Sequence, residues 1–252
     1  MRILMDLHTH TVASGHAYST IMENAKAAAE KGLEGIAMTD HGPAMPGGAH
    51  LYHFWNLTAL PQQIAGVRVL RGVEANIIDS RGGLDVPADI LDRLDIVLAG
   101  LHGGCIRAGT TADNTRAMLA AMANPWVDII VHPGNDEFLI NPEAVIEGAV
   151  RYGCALEVNN ASLSYIRQGS KPFCKRLVSL AKERGVPLVV GTDSHFAASV
   201  GEFAGALELL YSCGVPEEQV LNTSWERLEQ YLARRRDARR KVRQELTDGF
   251  EG

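Results

Sequence analysis

Seven short, almost continuously apolar runs recur along this chain, each separated from the next by a longer segment. They are Ile3–Leu7, Gly35–Thr39, Val67–Val73, Ile96–Gly100, Val127–Val131, Ala155–Val158 and Pro187–Gly191. Runs of this kind suit strands buried on both faces, which occur in parallel sheets covered by helices. Strands alternating with helical patterns are the mark of βα units. Helices are expected over Asn24–Lys31, Asp113–Met122, Pro142–Tyr152, Pro172–Arg184 and Val200–Tyr211. A last one, Ser224–Arg239, carries Leu228, Tyr231 and Leu232 at helical spacing. Thr20 and Glu23 make a capping-box pattern before the first helix, and Gly32 suits the position after its end. The pattern alone admits a doubly wound open sheet, but seven strands point to an α/β barrel. With 252 residues and no linker, repeat or low-complexity tract, the chain reads as one domain. A tail over about 240–252 is expected to be disordered.

Composition narrows the function classes. The four cysteines, Cys105, Cys154, Cys174 and Cys213, lie far apart and form no C-x-x-C pair. That argues against a disulfide framework and a thiolate zinc site, and for reduced thiols in a cytoplasmic protein. No apolar run reaches the roughly 18–20 residues of a membrane span. The opening residues pass straight into a strand, so no signal peptide is expected. A net charge of −6 disfavours a generic grip on nucleic acid.

Placement of the nine histidines is the strongest functional signal. His8 and His10 end the first strand, and His16 lies in the loop beyond it. His41, His102, His132 and His195 follow the second, fourth, fifth and seventh strands, and the third ends in Glu74. In a parallel barrel these ends converge on the face where active sites are built. Residues two apart in an extended segment point the same way, so His8 and His10 can share one ion, as can Asp193 and His195. A lone H-x-H carries little weight, and a lone buried histidine is usually a satisfied core residue. Here that bland explanation would have to hold at six strand ends. Catalytic zinc takes about three protein ligands and keeps one position open, so these nine residues suffice for three such sites. Imidazole-rich ligation favours zinc, or manganese or iron, over magnesium and calcium.

The segments His8-Thr9-His10, Thr39-Asp40-His41-Gly42, Gly72-Val73-Glu74, Leu101-His102, Val131-His132-Pro133-Gly134 and Thr192-Asp193-Ser194-His195 resemble the motifs of the PHP (polymerase and histidinol phosphatase) superfamily. His132-Pro133-Gly134-Asn135, Glu157-Val158-Asn159-Asn160 and the compact length are most similar to its YcdX-type phosphatase branch. The resemblance runs from Met1 to about Leu232. It implies a distorted seven-stranded, TIM-like (β/α) barrel with a trinuclear centre, usually zinc. His8, His10, Glu74 and Asp193 would hold a first ion. Glu74 would bridge to a second held by His102 and His132, and His16, His41 and His195 would hold a third. The loop after His102 varies among such proteins and leaves substrate preference open.

The activity expected is hydrolysis of small phosphomonoesters by a metal-bound hydroxide positioned near Glu74 and Asp193. Asp40 is a candidate for orienting a neighbouring ligand, or an ordinary turn cap. Arg107, Arg167 and Lys171 follow strand ends and are candidate substrate contacts. His50 and His53 are either lining for the substrate entrance or plain surface residues. The Arg234–Arg240 run is expected to be a solvated helix face. Rival activities are histidinol-phosphate hydrolysis, 3′–5′ exonuclease action and cleavage of a C–N bond. The exonuclease lacks a basic cluster near the motifs. The C–N hydrolases often use a carboxylated lysine where Glu74 stands here. A non-catalytic metal-binding protein is the rival from another class. An oligomer is compatible with the sequence, which does not specify one.

Overall fold

The computed structural model describes residues 1–164, 167 and 169–248. Its strands are β1 (Met5–Thr9), β2 (Gly35–Met38), the two-residue β3 (Gln63–Ile64), β4 (Val67–Asn76), β5 (Ile96–Gly100), β6 (Ile129–Ile130), β7 (Ala155–Asn159) and β8 (Leu188–Gly191). All but β3 pair in parallel with their neighbours in chain order, while β3 forms a hairpin with β4. Beyond the end of β8 the sheet meets β1. The Asp193 amide donates to the His8 carbonyl at 2.9 Å, and the His10 amide to Ser194 at 2.8 Å. The result is a nearly closed barrel of parallel strands in a single domain, and the open-sheet alternative is excluded.

Helices α1 (Ile21–Glu30), α2 (Leu51–Asn56), α3 (Ala88–Leu91), α4 (Thr111–Ala123), α5 (Pro142–Tyr152), α6 (Lys171–Arg184), α7 (Ala204–Cys213) and α8 (Trp225–Asp248) accompany the strands. The Thr20–Glu23 capping box forms as expected, and helix α1 starts directly after it at Ile21. Alternation along the strands divides the core. Leu7, Ala37, Leu98 and Ile129 fill the barrel interior, while Ile36, Ala99, Ile130 and Leu156 pack outward among the helices. Each buried aliphatic side chain contributes about 1.5–3 kcal/mol, so this division specifies which face of every strand turns inward.

Helix α8 plugs the bottom of the barrel with Leu228, Tyr231 and Leu232, as their spacing implies. It runs past Arg239 to Asp248, into the expected tail. The arginine run is not uniformly solvated. Arg235 and Arg239 are buried, their guanidiniums donating to the carbonyls of Tyr152, Val127, Pro125 and Trp126, and Arg239 also pairs with the Asp128 carboxylate. Strand starts and helix ends there leave carbonyls without partners, and an arginine fork satisfies several at once. Helix α7 starts at Ala204 rather than Val200, because the chain turns through left-handed backbone at Gly201, φ 75°, after the 3-10 turn Ala197–Ser199.

Candidate metal centre

A β-bulge in β1 begins the site. Asp6 pairs with Ile36 and Thr9 with Met38, so β1 has one residue more than β2 over this stretch. Bulges re-aim side chains where a ladder ends, and here the ladder ends in His8 and His10. Their Nε2 atoms lie 3.1 Å apart. His8 Nδ1 lies 2.8 Å from Glu157 Oε1, and His10 Nδ1 lies 3.1 Å from Ser14 Oγ. Glu157 accepts here, so His8 keeps a hydrogen on Nδ1 and, once the proton on its other nitrogen is lost, turns a bare Nε2 inward.

Glu74, fully buried near the end of β4, is the hub. Its Oε2 lies 3.2 Å from His8 Nε2, 3.3 Å from His10 Nε2 and 3.0 Å from His41 Nδ1. Its Oε1 lies 2.9 Å from His102 Nε2 and 2.8 Å from His132 Nε2. Asp193 Oδ1 approaches the Nε2 atoms of His8 and His10 at 3.6 and 3.3 Å. His195 Nδ1 is 2.9 Å from the Asp193 carbonyl, which can only accept, so its Nε2 is also bare. His16 is exposed at the rim, its ring centroid 4.8 Å from that of His195 and 5.2 Å from that of His41. His132 and Asp193 adopt left-handed backbone, with φ of 33° and 56°. Strain of this kind collects at functional sites, where the surroundings over-determine it.

Charge follows from this crowding. Burial disfavours a carboxylate, yet His41, His8 and His102 keep Glu74 ionised well below the usual carboxyl range. Asp193 is likewise held well below it, against burial, by His8, His10 and Arg167. Burial works against protonated histidines as well. For His8 it is outweighed by Glu157, Glu74 and Asp193, which keep its pKa well above the ordinary value. For His10 it is outweighed by Asp193 and Glu74, giving about 9. Burial wins at His41, held well below its ordinary value, at His132, which is lowered, and at His195, lowered to about 4.

These residues suit cations. Three groups have ligand atoms close enough to share an ion: His8, His10 and Asp193; His10, His41 and His195; and His41, Glu74 and His102. His10 and His41 each belong to two groups, so the donors form one continuous cluster. The buried His41 Nδ1 and Glu74 Oε2 sit 3.0 Å apart, and neither has a hydrogen-bond partner among the described residues. Buried polar atoms left unpaired are costly, and a cation between such atoms satisfies both.

The cluster floors a cleft of about 410 Å³ walled by Met45, Gly103, Gly104, Asn135, Asp136, Glu137 and Arg167. Arg167 reaches the site, its Nη1 3.2 Å from Asp193 Oδ2 and 3.1 Å from Ser162 Oγ. Lys171 does not; it lines a separate groove between α6 and α7. Arg107 is exposed outside the cleft lining. His50 caps α2, its Nδ1 accepting from the Tyr52 amide at 3.1 Å, and is absent from the lining. Asp40 reaches across to the loop after β1 rather than capping the turn that follows it: it accepts from the Thr11 amide at 2.6 Å and from Ser14 Oγ at 2.7 Å, next to His10. His53 Nε2 lies 3.4 Å from the same carboxylate. Glu157 carries more of the site than its motif suggested, because it accepts from His8, from the His132 amide at 2.8 Å and from Asn159 at 3.0 Å.

The PHP domain family model matches residues 6–161. A protein of Caldanaerobacter subterraneus subsp. tengcongensis named "probable phosphatase" is 49% identical over 237 residues, covering 94% of this chain and 93% of its own. Another of that name, from Acetivibrio thermocellus, is 47% identical over 237 residues, covering 94% of this chain and 98% of its own. Among solved structures, histidinol phosphate phosphatase from Lactococcus lactis, complexed with zinc, L-histidinol and phosphate, superposes with a TM-score of 0.62. It is 18% identical, covering 84% of this chain and 94% of that one, and shares the fold. The barrel, the order of its motifs and these full-length relatives place the chain in the PHP domain family.

Proposed function

We propose that this protein is a metal-dependent phosphatase acting on small phosphomonoesters, with three ions, zinc by preference, held at the mouth of its barrel. The observation that carries this reading is the convergence of five imidazoles on the one buried carboxylate of Glu74, at 2.8–3.3 Å. His8, His10, His16, His41, Glu74, His102, His132, Asp193 and His195 would hold the ions. The chemistry such ions supply when bound is neutralisation of phosphate oxygens and a water acidified towards a pKa of about 7.

The chain's own groups do the rest. Glu74 and Asp193 stay ionised and supply fixed negative charge between the ligand sets. Arg167, the one cation in the cleft lining among the described residues, stands beside Asp193 where it can meet a phosphate oxygen. Asp136 and Glu137 lie in the same lining. Two carboxylates against one arginine suit a small monoester better than a polyanionic strand, which needs a basic track.

The test is hydrolysis of a panel of monoesters, diesters and short single-stranded DNA, read as inorganic phosphate from the monoesters and as freed alcohol or mononucleotide from the diesters and DNA. Chelated protein is compared with protein reloaded with zinc or manganese, and His41→Ala serves as control. Metal-restored release from monoesters, absent in the variant, is the expected result. Silence across the panel with about three ions bound would favour the non-catalytic alternative, and release from DNA alone the exonuclease.

A further inference from the structure

Ser14 is fully buried in the loop after β1, at the end of the short 3-10 turn Val12–Ser14, and its hydroxyl meets three groups at once. Oγ lies 2.7 Å from Asp40 Oδ1, 3.1 Å from His10 Nδ1 and 3.1 Å from the amide nitrogen of His41. A hydroxyl has one hydrogen and two lone pairs. The Asp40 carboxylate takes the Thr11 amide on that same Oδ1 at 2.6 Å and the Thr11 hydroxyl on Oδ2 at 2.8 Å, so it stands here as an acceptor. The hydroxyl hydrogen is therefore committed to Asp40. The His41 amide can only donate, which takes one lone pair. The remaining lone pair faces His10 Nδ1, and that nitrogen must bring the hydrogen.

We infer that Ser14 is a positioning residue that dictates which nitrogen of His10 faces the metals, while tying the His41 backbone to the same atom. With its hydrogen on Nδ1, His10 turns Nε2 toward Glu74 Oε2 and Asp193 Oδ1, 3.3 Å from each. The opposite tautomer would aim an N–H into the ligand cluster and leave a lone pair against the Ser14 oxygen. His10 and His41 belong together in one ligand group and each also in a second. One hydroxyl thus sets the two donors through which the groups connect. Outer hydrogen bonds of this kind typically change metal affinity about 10–100-fold when removed. The inference rests on His10 and His41 being ligands, as proposed above.

The experiment is zinc affinity by competition with a chelator, for wild type, Ser14→Ala and His41→Ala. It is paired with two-bond ¹H–¹⁵N correlation spectra of zinc-loaded protein labelled at histidine nitrogen. The His10 signals are assigned by their loss in His10→Ala. Wild type should show His10 bound through Nε2 with a hydrogen-bonded Nδ1–H. Ser14→Ala should bind zinc about 10–100-fold more weakly and lose that hydrogen-bonded signature. Wild-type affinity in Ser14→Ala, or wild-type His10 bound through Nδ1, would overturn the inference while leaving the metal centre intact. The wild-type spectrum decides even if the alanine variant does not fold. Undiminished zinc in His41→Ala would instead refute the metal reading, and the inference with it.

Discussion

The Nε2 atoms of His8 and His10 face each other at 3.1 Å, with Glu74 Oε2 within 3.3 Å of both. In metal-free protein the neighbouring carboxylates of Glu74 and Asp193 hold both rings protonated. His10 titrates at about 9 and His8 well above its ordinary value of 6.5. A group whose folded pKa is raised stabilises fully below its unfolded value and loses that contribution as pH climbs through the folded one. Chelated protein should therefore lose stability between about pH 6.5 and 9, measured as a falling urea midpoint. Zinc must displace those protons, so loading near neutral pH should acidify a weakly buffered solution and strengthen as pH rises. A flat midpoint with no proton release would refute these protonation states.

Gly100 ends β5 beside two candidate ligands. A methyl group there would lie 2.8 Å from His132 Cε1 and 3.0 Å from His102 Cε1, closer than carbon atoms pack. Gly100→Ala should fold, lose about 1–3 kcal/mol of stability and hold less metal. Thermal unfolding and metal analysis check this; a full complement of metal would show that both rings can yield.

Glu157 accepts on both oxygens, from His8 on one and from the His132 amide and Asn159 on the other. A glutamine accepts at one end only. Glu157→Gln should weaken zinc binding about 10–100-fold, with activity restored by excess zinc. Activity that stays low at saturating zinc would show a more direct part in the reaction.

At the opposite end of the barrel, the Tyr231 hydroxyl accepts from the Ala155 amide at 2.8 Å and donates to the Asp128 carbonyl. Tyr231→Phe removes both bonds while the Ala155 amide and the Asp128 carbonyl keep each other at 3.1 Å, at a cost of about 0.5–1.5 kcal/mol. That corresponds to a melting point lower by several degrees. Turnover and metal content should match wild type, and a loss of either at temperatures where the variant is folded would link the two ends.

The strands were legible because burial on both faces leaves an unbroken apolar signature, and β5 and α5 match their expected bounds residue for residue. Other parts lacked a recognisable signal. Helix α2 is capped by the imidazole of His50, outside the usual capping set. The β3–β4 hairpin turns through Ala65 at φ 52° and Gly66 at φ 86°, where asparagine or glycine normally marks the first position. The candidate ligands stood out because histidines at successive strand ends need a common cause. Ser14 did not, since serine occurs everywhere and only its hydrogen-bond geometry marks it, and Glu157 stood in a motif that gave it no role. Arg235 and Arg239 were mistaken for surface charges because sequence cannot show which carbonyls lack donors.

The seam of the barrel lies where β8 meets β1, and the residues that close it are His8, His10, Asp193 and Ser194. Three of them are also candidate ligands. An ion shared by His8, His10 and Asp193 would thus act as a clasp, fastening the first strand to the last much as a covalent cross-link closes a long loop. Losing it would free the two margins of the sheet to part, so metal supply would govern how long the molecule survives proteases as well as whether it turns over substrate.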